Sequence, residues 1–291
     1  MTTVQTLVRE IKNLKPVPAV IHPLLDALNN PNASMAEVAK IIQYDPAITA
    51  AVLRTANSAF FGLKHPVESI KDAAALLGMD QIINLVLLKS GADIFNTQPD
   101  GQSPSQGAIW KYSVSSALIA RQIADELNMP GSAGIFTAAL LKDMGKTVLD
   151  RFVDNANEKI CGLMADKDLS AMAAEKEVIG VDHAELGAMI ATMWKFSPNM
   201  VKIIRCHHIR DIKTMQDMNI TVVYLADCIC MMMGMDIGSN EADGADRADG
   251  LTGRFHKQAL KRTGFRVEDI TRIISDFSFK IREVESLLKV F

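Results

Sequence analysis

Aromatic residues make up only 5% of the 291-residue sequence, too few to fill the facing layers of a β-sandwich. An excess of basic residues is also missing, since 31 Lys and Arg stand against 34 Asp and Glu for a formal net charge of −3. Without a broad positive field, nucleic acid is not an expected partner. No apolar run reaches membrane-spanning length, and the polar opening stretch, residues 1–10, lacks the apolar centre of a secretory signal. A cytoplasmic chain without membrane contact is therefore expected. The four cysteines, Cys161, Cys206, Cys228 and Cys230, include no Cys-x-x-Cys pair. They are expected to be small buried hydrophobes in a reducing compartment, not a disulfide framework or a zinc knuckle. No repeat of fixed period is present, which argues against a solenoid.

What the sequence does hold is Ala, Leu, Ile, Val and Met, within a hydrophobic total of 48%. With so few aromatics, that balance suits an all-α fold of packed helices. The punctuation agrees. Ser34-Met35-Ala36-Glu37 has the Ser-x-x-Glu form of a helix start, Asp45-Pro46 supplies a cap and a first-turn proline, and Ser69 and Asp72 repeat the capping pattern before Gly78 closes a helix. Met79 to Ser90 is apolar nearly all round and reads as a buried helix.

From Asn96 the sequence turns to Pro, Gln, Ser and Gly, so the expected organisation is an N-terminal helical half over residues 1–95 and a linker loop over 96–107. A helical bundle over 108–233, a mobile Asp- and Gly-rich loop over 234–253 and C-terminal helices over 254–291 follow. Helical periodicity is carried by Ala108 to Leu127, Ser132 to Phe152, His183 to Trp194, Asn199 to His207 and Thr214 to Met233. Asp236, Asp243, Asp246 and Asp249 miss the spacing of an EF-hand, so calcium is not expected.

The residues with chemical potential lie in four segments: Lys142-Asp143-Met144-Gly145-Lys146, Asp182-His183, Cys206-His207-His208 and Ala226-Asp227. Imidazoles and carboxylates in such an array are the donors that bind divalent metals. Each has a plainer reading. His183 can be a capping or surface residue, and one ring of the His207-His208 pair can pack inward while the other meets water. Gly145 and Lys146 can be a phosphate-facing turn, or a helix kink and a surface charge. Asp227, on an apolar helix, needs a partner, because a bare buried carboxylate is costly.

Taken with the N-terminal half, the chain resembles the HDOD family, a branch of the HD superfamily of metal-dependent phosphohydrolases. The resemblance rests on Leu14-x-Pro16-x-Pro18, Asn29-Asn30-Pro31, Ala39-x-Ile41-Ile42-x-x-Asp45-Pro46, Leu53-x-x-Ala56-Asn57-Ser58-Ala59-Phe60-Phe61-Gly62, Val67-x-Ser69-Ile70 and Leu76-Leu77-Gly78, in that order. It implies an HD-like helical bundle with an N-terminal HDOD subdomain. It also implies a residual metal site at Asp143, His183, His207, His208 and Asp227. Two positions depart from the superfamily pattern: Tyr112, in Trp110-Lys111-Tyr112-Ser113, and Lys142 stand where imidazole ligands are expected. An ammonium has no lone pair to give a metal. The cyclic-dinucleotide enzymes' Gly-Tyr-Pro signature is also missing after His207-His208, where Ile209-Arg210-Asp211 follows.

The departures imply no catalytic residues and no cofactor beyond a weakly held divalent ion, with Lys142 neutralising Asp143 or Asp227 or else reaching solvent along its stem. The resemblance then implies a non-catalytic bacterial signal-transduction or scaffold module, meeting other signalling proteins in trans through surfaces that include Phe60 and Phe61, with homo-oligomers an open option. The alternatives are a residual metal-dependent phosphohydrolase and a module that senses a nucleotide without hydrolysis through Lys142, Lys146 and the His pair.

Overall fold

A computed structural model of the chain describes residues 20–28, 30, 32–43, 45–58, 64–95, 104–129, 132–152, 156–167, 169–209, 211–235 and 254–288. Among them there is no strand, and the fold is all-α. The first five helices are α1 (Ile21–Leu28), α2 (Met35–Gln43), α3 (Pro46–Ala56), α4 (Ile70–Leu77) and α5 (Met79–Phe95). Their starts follow the sequence signals. Ser34 Oγ accepts from the Glu37 amide at 3.2 Å while Glu37 Oε2 accepts from the Ser34 amide at 2.8 Å. Asp45 Oδ1 accepts from the Ile48 amide at 3.0 Å, and Ser69 Oγ from the Asp72 amide at 3.0 Å. Each bond satisfies an amide that the first turn leaves without a helical partner.

After α3 the chain returns through Asn57, whose side-chain amide donates to the Val67 carbonyl at 2.9 Å and accepts from the Val67 amide at 2.7 Å. One side chain thus clamps both ends of the 57–67 segment. Asn57→Ala is expected to lower stability by about 2 kcal/mol, at about 1 kcal/mol per hydrogen bond, as read by urea denaturation.

Helix α5 joins the two halves, packing on α1 to α4 and on the helices that follow. Ile82, Ile83, Leu85, Val86 and Leu87 are all buried, which accounts for its apolar character on every side. Next come α6 (Pro104–Glu126), α7 (Ser132–Leu141), α8 (Met144–Phe152), α9 (Ala156–Lys167), α10 (Ala171–Ile179), α11 (His183–Met193), α12 (Pro198–Cys206), α13 (Met218–Met232), α14 (Arg254–Thr263) and α15 (Val267–Leu288). The central packing is α6 against α7 and α13, with α11 set between α8 and α12. One apolar cluster runs from Val20 to Phe277 and includes both halves.

Several boundaries differ from the sequence expectation. The stretch from Ser132 to Phe152 is broken at Lys142 and Asp143, the turn that builds the candidate site. Helix α6 begins at Pro104, four residues earlier than its periodicity indicates. The expected helix from Thr214 is a short 3-10 turn, Thr214–Gln216, followed by α13, which Asp217 caps. Helices α9 and α10 were not expected at all. Cys228 and Cys230 are buried as expected, but Cys161 is exposed and Cys206 half-buried. The Leu14 to Pro18 motif, Phe60, Phe61 and Gly62, most of the 96–107 linker, and the acidic loop with Asp236, Asp243, Asp246 and Asp249 lie outside the described residues.

Candidate functional site

The turn between α7 and α8 buries two opposite charges side by side. Lys142 and Asp143 are each 1% exposed, and their side chains form a close ion pair between Nζ and Oδ2. Lys142 Nζ also lies 2.6 Å from Asp227 Oδ1 on α13, so one ammonium bridges two carboxylates. The Tyr112 hydroxyl on α6 donates to the same Asp227 oxygen at 2.8 Å, and its ring lies 4.7 Å below Lys142 Nζ in a cation–π arrangement. Lys146, one turn into α8, places Nζ 3.2 Å from Asp143 Oδ1.

Three imidazoles stand on the other side of Asp143. Asp182 caps α11 by accepting from the Glu185 amide, which sets His183 as the first helical residue. Glu175 on α10 accepts from the His183 amide at 2.8 Å and lies 2.8–2.9 Å from His183 Nδ1. His207, at the end of α12, directs Nδ1 to the Ile204 carbonyl at 2.7 Å. A carbonyl can only accept, so Nδ1 carries the proton and neutral His207 presents Nε2 as a lone pair. His183 Nε2 and His208 Nε2 are 3.0 Å apart, and Asp143 Oδ1 is 3.8 Å from both His183 Nε2 and His207 Nε2. His207 Nε2 is buried without a hydrogen-bond partner, while Asp143 Oδ1 has the Lys146 ammonium at 3.2 Å.

Close backbone approach makes this array possible. A Cβ on Gly145 would stand 2.0 Å from the His183 carbonyl oxygen and 3.0 Å from the Gly187 amide nitrogen. Gly145 therefore serves the contact of α8 with α11, not a phosphate-facing turn.

His183, His207 and His208 thus gather at one point, with Asp143 Oδ1 3.8 Å from two of them, and the Lys142 ammonium links Asp143 to Asp227. His183 is buried and is not a surface or capping residue; Asp182 is the cap. Both rings of the His207-His208 pair face the cluster, with His208 half-buried and its ring tilted 44° to that of His207 at a centroid distance of 4.2 Å. Lys142 does not reach solvent, and Lys146 is buried too. Sequence reasoning missed Glu175. Helix α10 itself was not expected, and only the structure puts Glu175 on its buried stripe with Ala171, Ala174 and Ile179, where a carboxylate needs a partner.

Electrostatics follow from burial and pairing. Burial works against the charged forms of Lys142 and Asp143, but their mutual attraction, helped by Asp227 on one side and Lys146 on the other, wins. The Lys142 pKa is raised and that of Asp143 held well below the usual carboxylate range. Burial, then Asp227, push the Tyr112 phenol well up, keeping it a neutral donor. Burial, then His208 and Lys142, hold His207 well below the usual imidazole value. The unfolded chain therefore binds more protons than the folded one below about 6.5 at His207 and below about 3.9 at Asp143. Stability is expected to fall as pH drops through about 6.5, and further below about 4. At alkaline pH the raised Lys142 supplies stability that is full below about 10.4 and lost as pH rises through its folded value. Urea denaturation at stepped pH checks the profile; a maximum at pH 5 would contradict it.

Chemically, three imidazoles and a carboxylate are a donor set for a transition-metal ion. An ammonium wedged between two carboxylates is its opposite, a fixed positive charge where a cation would be drawn. Among solved structures, the chain is similar to an HDOD domain protein from Geobacter sulfurreducens, at 23% identity and a TM-score of 0.77, over 98% of this chain and 97% of that one. It is also similar to a provisionally assigned phosphohydrolase from Shewanella amazonensis SB2B, at 24% identity and a TM-score of 0.67, over 97% of each chain. A provisionally assigned signal transduction protein from Marinobacter aquaeolei VT8 is similar at 19% identity and a TM-score of 0.73, over 100% of this chain and 61% of that one. A curated relative, an uncharacterized protein of Treponema pallidum (strain Nichols), is 21% identical over 198 residues, 68% of this chain, which spans only 38% of that relative's length. These likenesses bear on the fold. The sequence profile of the HDOD domain matches residues 14–210, well over half of the chain and the stretch that carries both the N-terminal helices and the buried His and Asp cluster, and on that ground the chain belongs to the HDOD domain family.

Proposed function

We propose that this protein is a non-catalytic signal-transduction module of the HDOD type that acts in the cytoplasm through contacts with other signalling proteins in trans. The observation that carries the reading is the Lys142 ammonium lodged between Asp143 and Asp227. Metal-dependent phosphoester hydrolysis needs a cation held tightly enough to acidify a bound water and to polarise the phosphoryl oxygens. A tethered ammonium in that position offsets one of the two negative charges but offers no coordination site. No described helix is long and apolar enough to cross a membrane, and the net charge of −3 does not favour nucleic acid. Helix α4 offers protein contacts through Leu76, 60% exposed on the N-terminal half.

The Marinobacter relative assigned to signal transduction supports the reading at the level of its name. The Shewanella relative assigned as a phosphohydrolase, together with the three imidazoles, favours a second reading, residual metal-dependent hydrolysis. Nucleotide sensing through Lys142 and Lys146 gains no support, because both ammonium groups are buried on Asp143.

Turnover of bis(p-nitrophenyl) phosphate with Mn2+ or Zn2+ in excess separates the readings. The proposal expects the rate of the buffer blank. Metal-dependent turnover that disappears in Asp143→Ala would overturn it.

A further inference from the structure

We infer that a cleft between the two halves binds a small zwitterion with an apolar body, an amino acid or a dipeptide, through Lys195 and Asp26. The cavity has a volume of about 440 Å³, within the range of small-molecule sites. One wall comes from α1, and the others from α7, the connection between α11 and α12, α12 itself and the start of α13. None of the residues around Lys142 or in the histidine cluster lines it.

The lining joins an apolar floor to uncommitted polar groups. Ile135, Phe196, Met200 and Ile203 are buried, with the Phe196 ring 5.4 Å from that of His22 and 6.3 Å from that of Trp194 between centroids. Lys195 and Asp26 are exposed, and among the described residues neither side chain has a hydrogen bond or an ion pair. The carboxamides of Asn199 and Asn219 have none either. Elsewhere lysines are committed: Lys142, Lys146, Lys167 and Lys176 all stand on carboxylates, and Lys202, on α12, holds Asp217 at 2.7 Å.

A cation and an anion that line one cavity without pairing with each other match a ligand that carries both charges. A phosphate dianion would gain Lys195 but meet Asp26, and a simple amine would gain Asp26 but meet Lys195. A zwitterion is satisfied at both ends, while its apolar body covers Phe196 and Met200.

Lys195 also occupies a position where glycine is the default. In the turn that closes α11, the Phe196 amide donates to the Ala191 carbonyl and the Lys195 amide to the Thr192 carbonyl, each at 3.0 Å, and Lys195 has φ +59°. A Cβ disfavours that left-handed conformation, and at the end of α10 the chain uses Gly180 for it. A lysine kept there at a conformational cost points to a task for its ammonium.

Isothermal calorimetry on the full chain tests this with L-phenylalanine, L-leucyl-L-phenylalanine and two probes that keep the ring but carry one charge, phenethylamine and 3-phenylpropionate. One saturable site per chain is expected for a zwitterion, and the tighter of the two separates amino acid from dipeptide. Each single-charge probe is expected to bind at least about tenfold more weakly, the worth of one charged hydrogen bond. Lys195→Gly suits the backbone, so the variant is expected to unfold at a temperature no lower than the parent while binding the zwitterion about tenfold more weakly and phenethylamine no more weakly. Asp26→Asn is expected to weaken the zwitterion similarly and to spare 3-phenylpropionate. Binding of neither zwitterion at millimolar concentration overturns the inference, as does a single-charge probe that binds as tightly as the zwitterion, or undiminished binding in Lys195→Gly. Each of these results leaves the reading of Lys142 standing, since the cleft shares no residue with it.

Discussion

Lys142→Met is expected to destabilise the protein by about 3–5 kcal/mol, the cost of stranding a charge by deleting one partner of a buried ion pair. The side chain is held by two carboxylates and an aromatic face, and neither Asp143 nor Asp227 can turn to water for compensation, at 1% and 3% exposed. Lys146 still faces Asp143 in the variant, but Asp227 keeps only the Tyr112 hydroxyl. The loss belongs to the unpaired acids, so removing them should return most of it. In Lys142→Met combined with Asp143→Asn and Asp227→Asn, the stability is expected to recover to within about 2 kcal/mol of the parent, because replacing a whole buried network is far cheaper than breaking it. Urea denaturation of the two variants reads the difference. Equal losses in both would mean that packing, not charge, is what Lys142 contributes.

Gly145→Ala is the second large effect, with a loss of at least about 3 kcal/mol, the upper end of overpacking costs. The added methyl would meet the His183 carbonyl oxygen at 2.0 Å and its carbon at 2.8 Å. Those are backbone atoms at the start of α11, which cannot rotate away as a side-chain tip can. The helices must part, and His183 must move with them. Gly187→Ala is the control on the same interface: its methyl meets the Ile204 side chain at 3.1 Å and the Lys142 carbonyl at 3.4 Å. A small adjustment of Ile204 relieves the first contact, so a loss of about 1 kcal/mol is expected, within the ordinary range for small-to-large changes. Thermal unfolding of both variants gives the ranking; an equal effect of the two would contradict the close backbone contact at Gly145.

The residues that could be read in advance are those whose roles are local. Ser34, Asp45, Ser69 and Gly78 mark helix ends through bonds that span three or four residues, so sequence spacing alone carries them. Asp143, His183, His207, His208 and Asp227 could be singled out as polar groups in apolar surroundings. Which of them meet could not, since the cluster closes contacts between α6, the α7–α8 turn, α11, α12 and α13. The break at Lys142 and Asp143 has no local cause, because no Pro or Gly precedes it. The turn is where Lys142 is buried on Asp227 of α13 and Asp143 is buried between Lys142 and Lys146. Helix α9 has few apolar residues among its charged and small ones, and α10 carries three consecutive charges, Glu175, Lys176 and Glu177, so periodicity was weak there. His183 could be read either as a ligand or as a capping or surface residue, because only the buried face of α10, with Glu175 on it, shows what holds its backbone and ring.

The central claim is that the Lys142 ammonium stands where a hydrolytic ion would bind. Anomalous diffraction at the manganese edge, from crystals of the full chain grown in excess Mn2+, tests it most directly. The account predicts no anomalous peak between the Asp143 and Asp227 carboxylates. A strong peak there, with the Lys142 side chain displaced, would contradict it.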